Sequence, residues 1–478
     1  MPRQNRREFL KSSAAFAGAT FAIGGTKSSG NILQNSETVR VAVAGVNGRG
    51  GSHIGSLLEL PNVEVAYIVD PDKRIWPGRI KSIADKTGKA PKAITDIREA
   101  LDDKNLHAVT VATPNHWHSL ITIWACQAGK DVYVEKPCSH NVREGRIAVE
   151  MARKHKCIVQ HGTQSRTEGG WANVVAAIKS GELGKLLVSR GLCYKNRPSI
   201  GFKPETTPPP EVDFNLWLGP AQERPYHQNL VHYNWHYFWD FGNGDIGNQG
   251  VHQMDIARWA IPGATLPKSV LCFGGRFGYE DQGESANTQV AVMDFGETKL
   301  VFEVRGLPTV DYQGQKVGNI FHLEAGTIVG TKFFPKGSDK EAPLPKADPQ
   351  RGPGKNHFAN FVEAVRSRKS SDLNADILEG HYSSALCHLA NISYRLGSPA
   401  AFKPRSEVAG KLEVLNESLD RMEQHLEANK VDLGSTKLRV GQLLTVDAAT
   451  ESFVGNSEAN KLLTRNYRKP FVVPEKVV

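Results

Sequence analysis

The chain has 478 residues, 40% of them hydrophobic and 23% charged, with a formal net charge of +9. That length accommodates two domains with separate cores, and the composition excludes both a disordered protein and a small disulfide scaffold. Residues 1–30 carry Arg3, Arg6, Arg7, Lys11 and Lys27 against Glu8 alone; the excess that remains shows no basic stripe interleaved with aromatics, which excludes nucleic acid as a partner.

The chain opens MPRQNRREFLKSSAAFAGATFAIGG. Arg6, Arg7, Phe9, Leu10 and Lys11 follow the order RRxFLK before a weakly apolar Ala/Gly run, as expected of a twin-arginine export signal over 1–30. Asn5 stands where Ser or Thr is usual, and no clear A-x-A cleavage site follows. The expectation is export through the Tat machinery to the periplasm. No later apolar run is long enough to cross a bilayer, so no stable membrane insertion is expected. Cys126, Cys138, Cys157, Cys193, Cys272 and Cys387 form no C-x-x-C pair. They are expected to be buried free thiols, because this route carries proteins already folded in a reducing cytoplasm.

From Val39 to about Gln160, short β-branched runs alternate with helical stretches. VRVAVAGV precedes GSHIGSLLEL, VEVAYIVD precedes RIKSIADKTG, LHAVTVATP precedes WHSLITIWACQAG, DVYVEKP precedes VREGRIAVEMARKH, and CIVQHG follows. Strands separated by helices need crossovers, and crossovers of this length produce a doubly wound parallel sheet. An α/β Rossmann dinucleotide-binding domain is expected over 37–165.

After Gly162 the pattern changes. A helix (WANVVAAIKSG), a long strand (KLLVSRGLCYKN), a Pro-rich loop ending PPPEVDFNLWLGP and the alternating TQVAVMDFGETKLVFEV follow in turn. They predict an α+β substrate-binding domain with a largely antiparallel open sheet over 166–400. Helices in NHFANFVEAVRSRK and DILEGHYSSALCHLANISYRLG are expected to close it. The C-terminal extension, 401–478, reads as one amphipathic helix, LEVLNESLDRMEQHLEANK, and an irregular tail.

In VAVAGVNGRGGSH, Gly45, Gly48 and Gly50, interleaved with Asn47 and Arg49, close a strand and open a helix. Free N–H groups at a helix N-terminus suit a pyrophosphate. The spacing is G-x-x-G-x-G, with Asn47 at the usual second glycine. Twenty residues after Gly50, Asp70 ends VEVAYIVD, where a carboxylate accepts from a ribose hydroxyl and repels a 2′-phosphate. NAD is therefore expected, while Lys73 and Arg74 nearby keep NADP open.

VYVEKP brings Glu135, Lys136 and Pro137 to the end of a strand. With the glycine turn and ATPNHWHS (Ala112 to Ser119), it resembles the glucose-fructose oxidoreductase / inositol dehydrogenase / rhizopine catabolism (Gfo/Idh/MocA) family over residues 39 to roughly 400. The resemblance implies that the 112–119 loop, with Thr113, Asn115 and His118, runs beside the cofactor together with Glu135. It implies also that Lys136 reaches the substrate hydroxyl near the nicotinamide. The residues agree: strand carboxyl ends face the cofactor crevice, and an ammonium near a cationic nicotinamide has its pKa lowered toward a useful range.

In GNGDIGNQGVHQMDIARW the family pattern has an Asp four residues before His252, and Lys, Asp and His form its site. This chain carries Asn248 there. An amide orients a hydroxyl but exchanges no proton near neutral pH, so proton transfer is expected of Lys136 and His252. A helix beginning near Gln249 would place His252 and Asp255 on one face, with Asn248 as its cap. Asp245 or Asp255 is then a candidate for setting the imidazole tautomer, and Asn248 and Asp255 for contacting substrate.

YHQNLVHYNWHYFWDFGNG crowds His227, His232, His236, Tyr233, Trp235, Tyr237 and Trp239 together. Flat aromatic faces with polar edges suit a sugar ring, making Trp235 and His236 substrate candidates. The histidine spacings match no standard zinc pattern, so no metal is expected.

The expectation is an NAD(P)-dependent oxidoreductase acting on a sugar or cyclitol hydroxyl. An exported enzyme cannot exchange NADH for fresh NAD, so the cofactor is expected to be tightly bound and recycled in place. Two alternatives stay open: a redox-neutral, NAD-dependent glycoside hydrolase or lyase working through a transient keto-sugar, and a non-catalytic, cofactor-loaded sugar-binding protein. The resemblance also implies a homo-oligomer formed through the second domain's open sheet face.

Overall fold

The computed structural model describes residues 37–349, 356–404 and 413–477; the segment read as a twin-arginine leader, 1–30, lies outside the described residues. Six strands, β1 (Val39–Ala44), β2 (Val63–Val69), β3 (Lys92–Ile94), β4 (Ala108–Val111), β5 (Asp131–Val134) and β6 (Val159–His161), form one sheet in the order β3-β2-β1-β4-β5-β6. Every pairing is parallel. Such a sheet is covered on both faces, so its strands read as continuous apolar runs; β4 and β5 are buried at every position. Strand β3, only KAI, escapes the sequence reading because three residues at a sheet edge are too few to show a period.

Helices Gly48–Leu57, Trp76–Thr87, Asn115–Gln127 and Val142–Lys154 make the crossovers. Another helix on this sheet comes from far along the chain. In His357–Ser367, Phe358, Phe361, Val362 and Val365 pack with Val39, Val41, Val43 and Tyr133. This helix therefore covers the first sheet, where the sequence reading had it closing the second domain.

The second sheet has eleven strands. Strands β7 (Leu186–Tyr194), β8 (Ser269–Gly275), β9 (Thr288–Asp294), β10 (Lys299–Arg305), β11 (Val317–Leu323), β12 (Gly326–Val329) and β13 (Lys332–Pro335) are joined by β14 (Ser398–Ala401) and β15 (Lys437–Val440) in the order β13-β12-β11-β7-β10-β9-β8-β15-β14. Strand β16 (Leu444–Asp447) pairs with β8 and with β17 (Ser452–Phe453). The β9–β10 hairpin turns at Gly296, whose φ of +92° a side chain would resist. Among the described strands of this second sheet, only β7 and β10 run parallel.

Alternation on β10 divides the core. Leu300, Phe302 and Val304 enter the cluster shared with the helices Gly169–Ser180, Gly250–Ala260 and Ile377–Arg395. Val301 faces the other way, against Leu415, Leu419, Met422 and Leu426 of the helix Glu413–Ala428. Beneath that helix Glu303 is buried with Arg190 and Arg421, and Tyr194 donates to it at 2.5 Å. Burial pushes the Glu303 carboxyl up, but the guanidinium groups outweigh this and hold it at about 2. Over β8, β9 and β10, part of the sheet face read as open is thus covered by this chain's own C-terminal helix.

The segment read as an irregular tail contributes three strands and then crosses back to the first domain. Arg468 donates to the carbonyl oxygens of Gly219 (3.1 Å) and Ala221 (3.2 Å) and to Asn215 Oδ1 (2.6 Å). Phe471 meets Trp117 and Trp124 with ring centroids 5.3 and 6.4 Å apart. No helix among the described residues is long and apolar enough to cross a membrane.

Candidate functional site

A cavity of about 350 Å³ opens at the carboxyl ends of β1, β2, β4 and β5, its opposite wall supplied by residues between Lys195 and Gln249. β2 and β4 flank β1 on opposite sides, so this is the switch point where doubly wound sheets bind ligands.

The glycine turn shapes one end. Gly45 has φ +76°, and a Cβ there would lie 2.7 Å from the Ala112 carbonyl oxygen; a Cβ on Gly50 would lie 1.7 Å from the Gly45 oxygen. Gly48, by contrast, lines the cavity with nothing within 4 Å of a Cβ position. The helix Gly48–Leu57 has no side-chain cap and no acidic residue in its first turn. Arg79 holds the turn from behind, its Nε donating to the Val46 carbonyl at 2.7 Å. The N–H groups of the first turn are thereby left for an anion.

Asp70 lines the same cavity and accepts from the backbone N–H of Val46 (2.9 Å) and of Asp72 (3.0 Å) on separate oxygens. Each oxygen keeps a lone pair for a ribose hydroxyl. Burial pushes its carboxyl up. Arg74, read as a possible 2′-phosphate ligand, is instead chelated by Asp72 at 2.6 and 2.8 Å. His232 Nε2 lies 2.8 Å from Asp72 too, drawing the aromatic loop onto the end of β2.

At the end of β5, Glu135 is 3% exposed and receives Arg49 Nε at 2.7 Å and His53 Nε2 at 3.2 Å. Burial opposes its charge, but His53 and Arg49 hold the carboxyl well below the usual range. Glu135 therefore ties the glycine turn to the strand that bears Lys136. The Lys136 ammonium donates to the carbonyl oxygen of Asn248 at 2.7 Å. Burial lowers its pKa, Glu135 opposes this, and Arg49, Lys195 and Arg197 add to the lowering.

Thr113, Asn115 and His118 line the cavity as well. Asn115 Nδ2 donates to Asn243 Oδ1 at 3.2 Å. Both ring nitrogens of His118 are engaged, with the Pro137 carbonyl at 2.6 Å and the Thr113 carbonyl at 2.8 Å. The ring spaces the two loops and has no nitrogen left for a ligand.

Three readings around His252 need correction. Asn248 is not a cap: it ends the short helix Gly244–Asn248, and the next, Gly250–Ala260, follows Gln249 without a side-chain cap. Its carbonyl, not its amide, holds Lys136. Asp255 does not reach substrate or an imidazole. Its oxygens take both Arg166 nitrogens (2.8–3.1 Å) and the Ser383 hydroxyl (2.6 Å) in full burial, because an uncompensated carboxylate there would be costly. Asp245 pairs with Arg197 at 2.8 Å. His252 itself is half-buried; burial and then Lys136 push its pKa down to about 3, so it is neutral at neutral pH.

Trp235 lines the cavity. His236 does not: it is fully buried, with Nδ1 2.6 Å from the Tyr233 carbonyl, and serves the loop's shape. Among the described residues no three His, Cys, Asp or Glu side chains gather as a metal site, and all six cysteines are free and buried. Sequence reasoning missed Trp217, Lys195, Arg197 and Gln249 and named Tyr233 only within the aromatic stretch, yet all five are in the wall. Only the KNR and HYNW stretches signalled any of them.

Residues 39–163 match the model of an oxidoreductase family with an NAD-binding Rossmann fold, and 197–270 that of an oxidoreductase family's C-terminal alpha/beta domain. The chain is 31% identical over 154 residues to scyllo-inositol 2-dehydrogenase (NAD(+)) of Bacillus subtilis, covering 32% of this chain and 44% of that protein. It is 27% identical over 206 residues to glycosyl hydrolase family 109 protein 1 of Shewanella sp., covering 38% and 44%. The chain thus spans about half the length of the curated relatives it matches. Among solved structures, WlbA dehydrogenase of Bordetella pertussis, in complex with NADH and UDP-GlcNAcA, shares the fold with a TM-score of 0.55 at 19% identity, over 75% of this chain and 97% of that one.

Proposed function

We propose that this chain, whose residues 39–163 and 197–270 match the NAD-binding and C-terminal domain models of the Gfo/Idh/MocA oxidoreductase family, oxidises a hydroxyl of a sugar or cyclitol with a retained NAD. The observation that carries this is Lys136, fixed by the Asn248 carbonyl in the cavity that also holds the glycine turn and Asp70. The residues fit a dinucleotide: the uncapped turn at Gly48 would hold its pyrophosphate and Asp70 a ribose. Asp70, with Arg74 occupied by Asp72, favours NAD over NADP. When bound, the dinucleotide supplies the hydride acceptor.

The chain supplies position and proton transfer. Lys136, with its pKa lowered, takes the proton of the substrate hydroxyl at Nζ; Trp235 offers an aromatic face for the ring. His252, pushed down to about 3 by burial and Lys136 and not among the residues lining the cavity, is a weak proton acceptor at neutral pH, which leaves the transfer to Lys136. Retention is supported by the C-terminal strap, since Arg468 and Phe471 hold the wall bearing Leu216 and Trp217 against the first domain. Together with RRxFLK in the leader, this supports export with the cofactor already enclosed.

Denaturing protein purified from its native host and identifying the released dinucleotide tests the reading. One NAD per chain is expected, and sugar should raise absorbance in the reduced-nicotinamide band. Empty protein that neither takes up NAD nor responds to any sugar refutes it. The likeness to glycosyl hydrolase family 109 and the amide at Asn248 favour a second reading, elimination and hydration through a transient keto-sugar. Solvent deuterium entering the carbon next to the oxidised one distinguishes it.

A further inference from the structure

Lys195 and Arg197 lie just beyond β7, where their backbone N–H groups bond the carbonyls of Arg305 (3.0 Å) and Gly306 (2.7 Å) and so continue the pairing with β10. Two residues apart on an extended chain, they present side chains to one face, and both line the cavity at the end where Lys136 stands. Their charge is poorly matched. Lys195 reaches only a neutral acceptor, Gln249 Oε1, at 3.3 Å, and Lys136 only a carbonyl. Arg197, 8% exposed, gives Nε to Asp245 and NH1 to the Tyr233 hydroxyl, both at 2.8 Å. Because that hydroxyl accepts from Arg197, its own proton is free to donate elsewhere. Tyr233 is half exposed and held at φ +90°, a strained conformation that its surroundings must maintain. Of the cavity's carboxylates, Asp70 and Asp96 lie at the end of β2 and after β3, and Glu135, beside Lys136, is paired with Arg49. A neutral ring would require no such excess of positive charge.

We propose that Lys195, Arg197 and the Tyr233 hydroxyl form an anion subsite, and that the sugar or cyclitol this chain oxidises carries a carboxylate. The proposal rests on the oxidoreductase reading above. A single negative charge matches Lys195, which among the described residues contacts no carboxylate, because Asp245 already balances Arg197 and Lys136 takes the hydroxyl proton as a neutral amine. A phosphate dianion would bring a second charge toward Asp245.

The test uses holo protein with D-glucuronate, D-galacturonate, their neutral parents D-glucose and D-galactose, and the corresponding 6-phosphates. Tryptophan fluorescence reports binding, the reduced-nicotinamide band reports turnover, and dinucleotide content is assayed separately. The uronates should bind at least about tenfold more tightly than their parents, a difference of about 1.4 kcal/mol. The preference should shrink with added salt and be lost in Lys195→Gln. A response to the phosphates but not the uronates overturns the carboxylate; equal or better response to the neutral sugars, or no response to any acid, overturns the subsite. Each of these outcomes in protein that still carries NAD leaves the oxidoreductase reading standing, whereas protein without NAD fails that reading instead.

Discussion

Two glycines in one turn should respond oppositely to the same substitution. Gly50→Ala places a Cβ 1.7 Å from the Gly45 carbonyl oxygen, which must retreat by about 1.3 Å to reach even the 3.0 Å that real contacts respect. The oxygen belongs to backbone pinned between β1 and the helix that follows, so the helix has to lift off the sheet. Overpacking of this kind costs about 3 kcal/mol or more, a fall in Tm of about 6–12 °C at 2–4 °C per kcal/mol. Gly48→Ala meets nothing within 4 Å and should leave Tm of the NAD-free protein unchanged, or raise it with the about 0.4–1 kcal/mol that restricting the unfolded chain confers. Its methyl enters the space the pyrophosphate needs, and NAD affinity should fall at least about tenfold, or about 1.4 kcal/mol. Thermal unfolding of NAD-free protein and titration calorimetry with NAD measure the two effects separately. Undiminished NAD binding by Gly48→Ala, or an unshifted Tm for Gly50→Ala, would refute the assignment of one glycine to the ligand and the other to packing.

Lys136→Ala should lower kcat by about 10²–10⁴-fold, the usual range for a lost proton-transfer group, while bound dinucleotide remains; an active variant would remove Lys136 from the chemistry. Arg468→Ala releases Asn215, Gly219 and Ala221, so dialysis should strip NAD from this variant and not from the parent. Arg166→Met leaves Asp255 buried without its partner and should destabilise by about 3–5 kcal/mol, with KM unchanged in protein that remains folded. Burial pushes His116, His161 and His388 down to about 3. The unfolded chain binds these protons near pH 6.5 and the native one only near 3, so stability is complete above 6.5 and falls as the solution is acidified. Three such groups give a slope of about 4 kcal/mol per pH unit between those limits; denaturant midpoints that stay flat from pH 7 to 5 would contradict it.

How much was legible in the sequence follows from the range of each interaction. The parallel sheet, the glycine turn, Asp70 and Lys136 announce themselves within a few residues, because a crossover, a tight turn and the end of a strand are local features of covalent geometry and hydrophobic period. Side-chain partners at a distance are not local. Asp255 looked available beside His252 until folding brought Arg166, 89 residues away in sequence, against it. Asn248 looked like a cap, yet its carbonyl meets a lysine 112 residues earlier. Lys195 and Arg197 went unassigned in the sequence, and the helix 413–428 stood only as part of a C-terminal extension, until the tertiary structure put the first two into the cavity and laid the third over the second sheet. A pattern in the chain determines which elements form and which faces they must bury. Which charge neutralises which, and what covers each face, depends on contacts that exist only once distant segments have closed on one another.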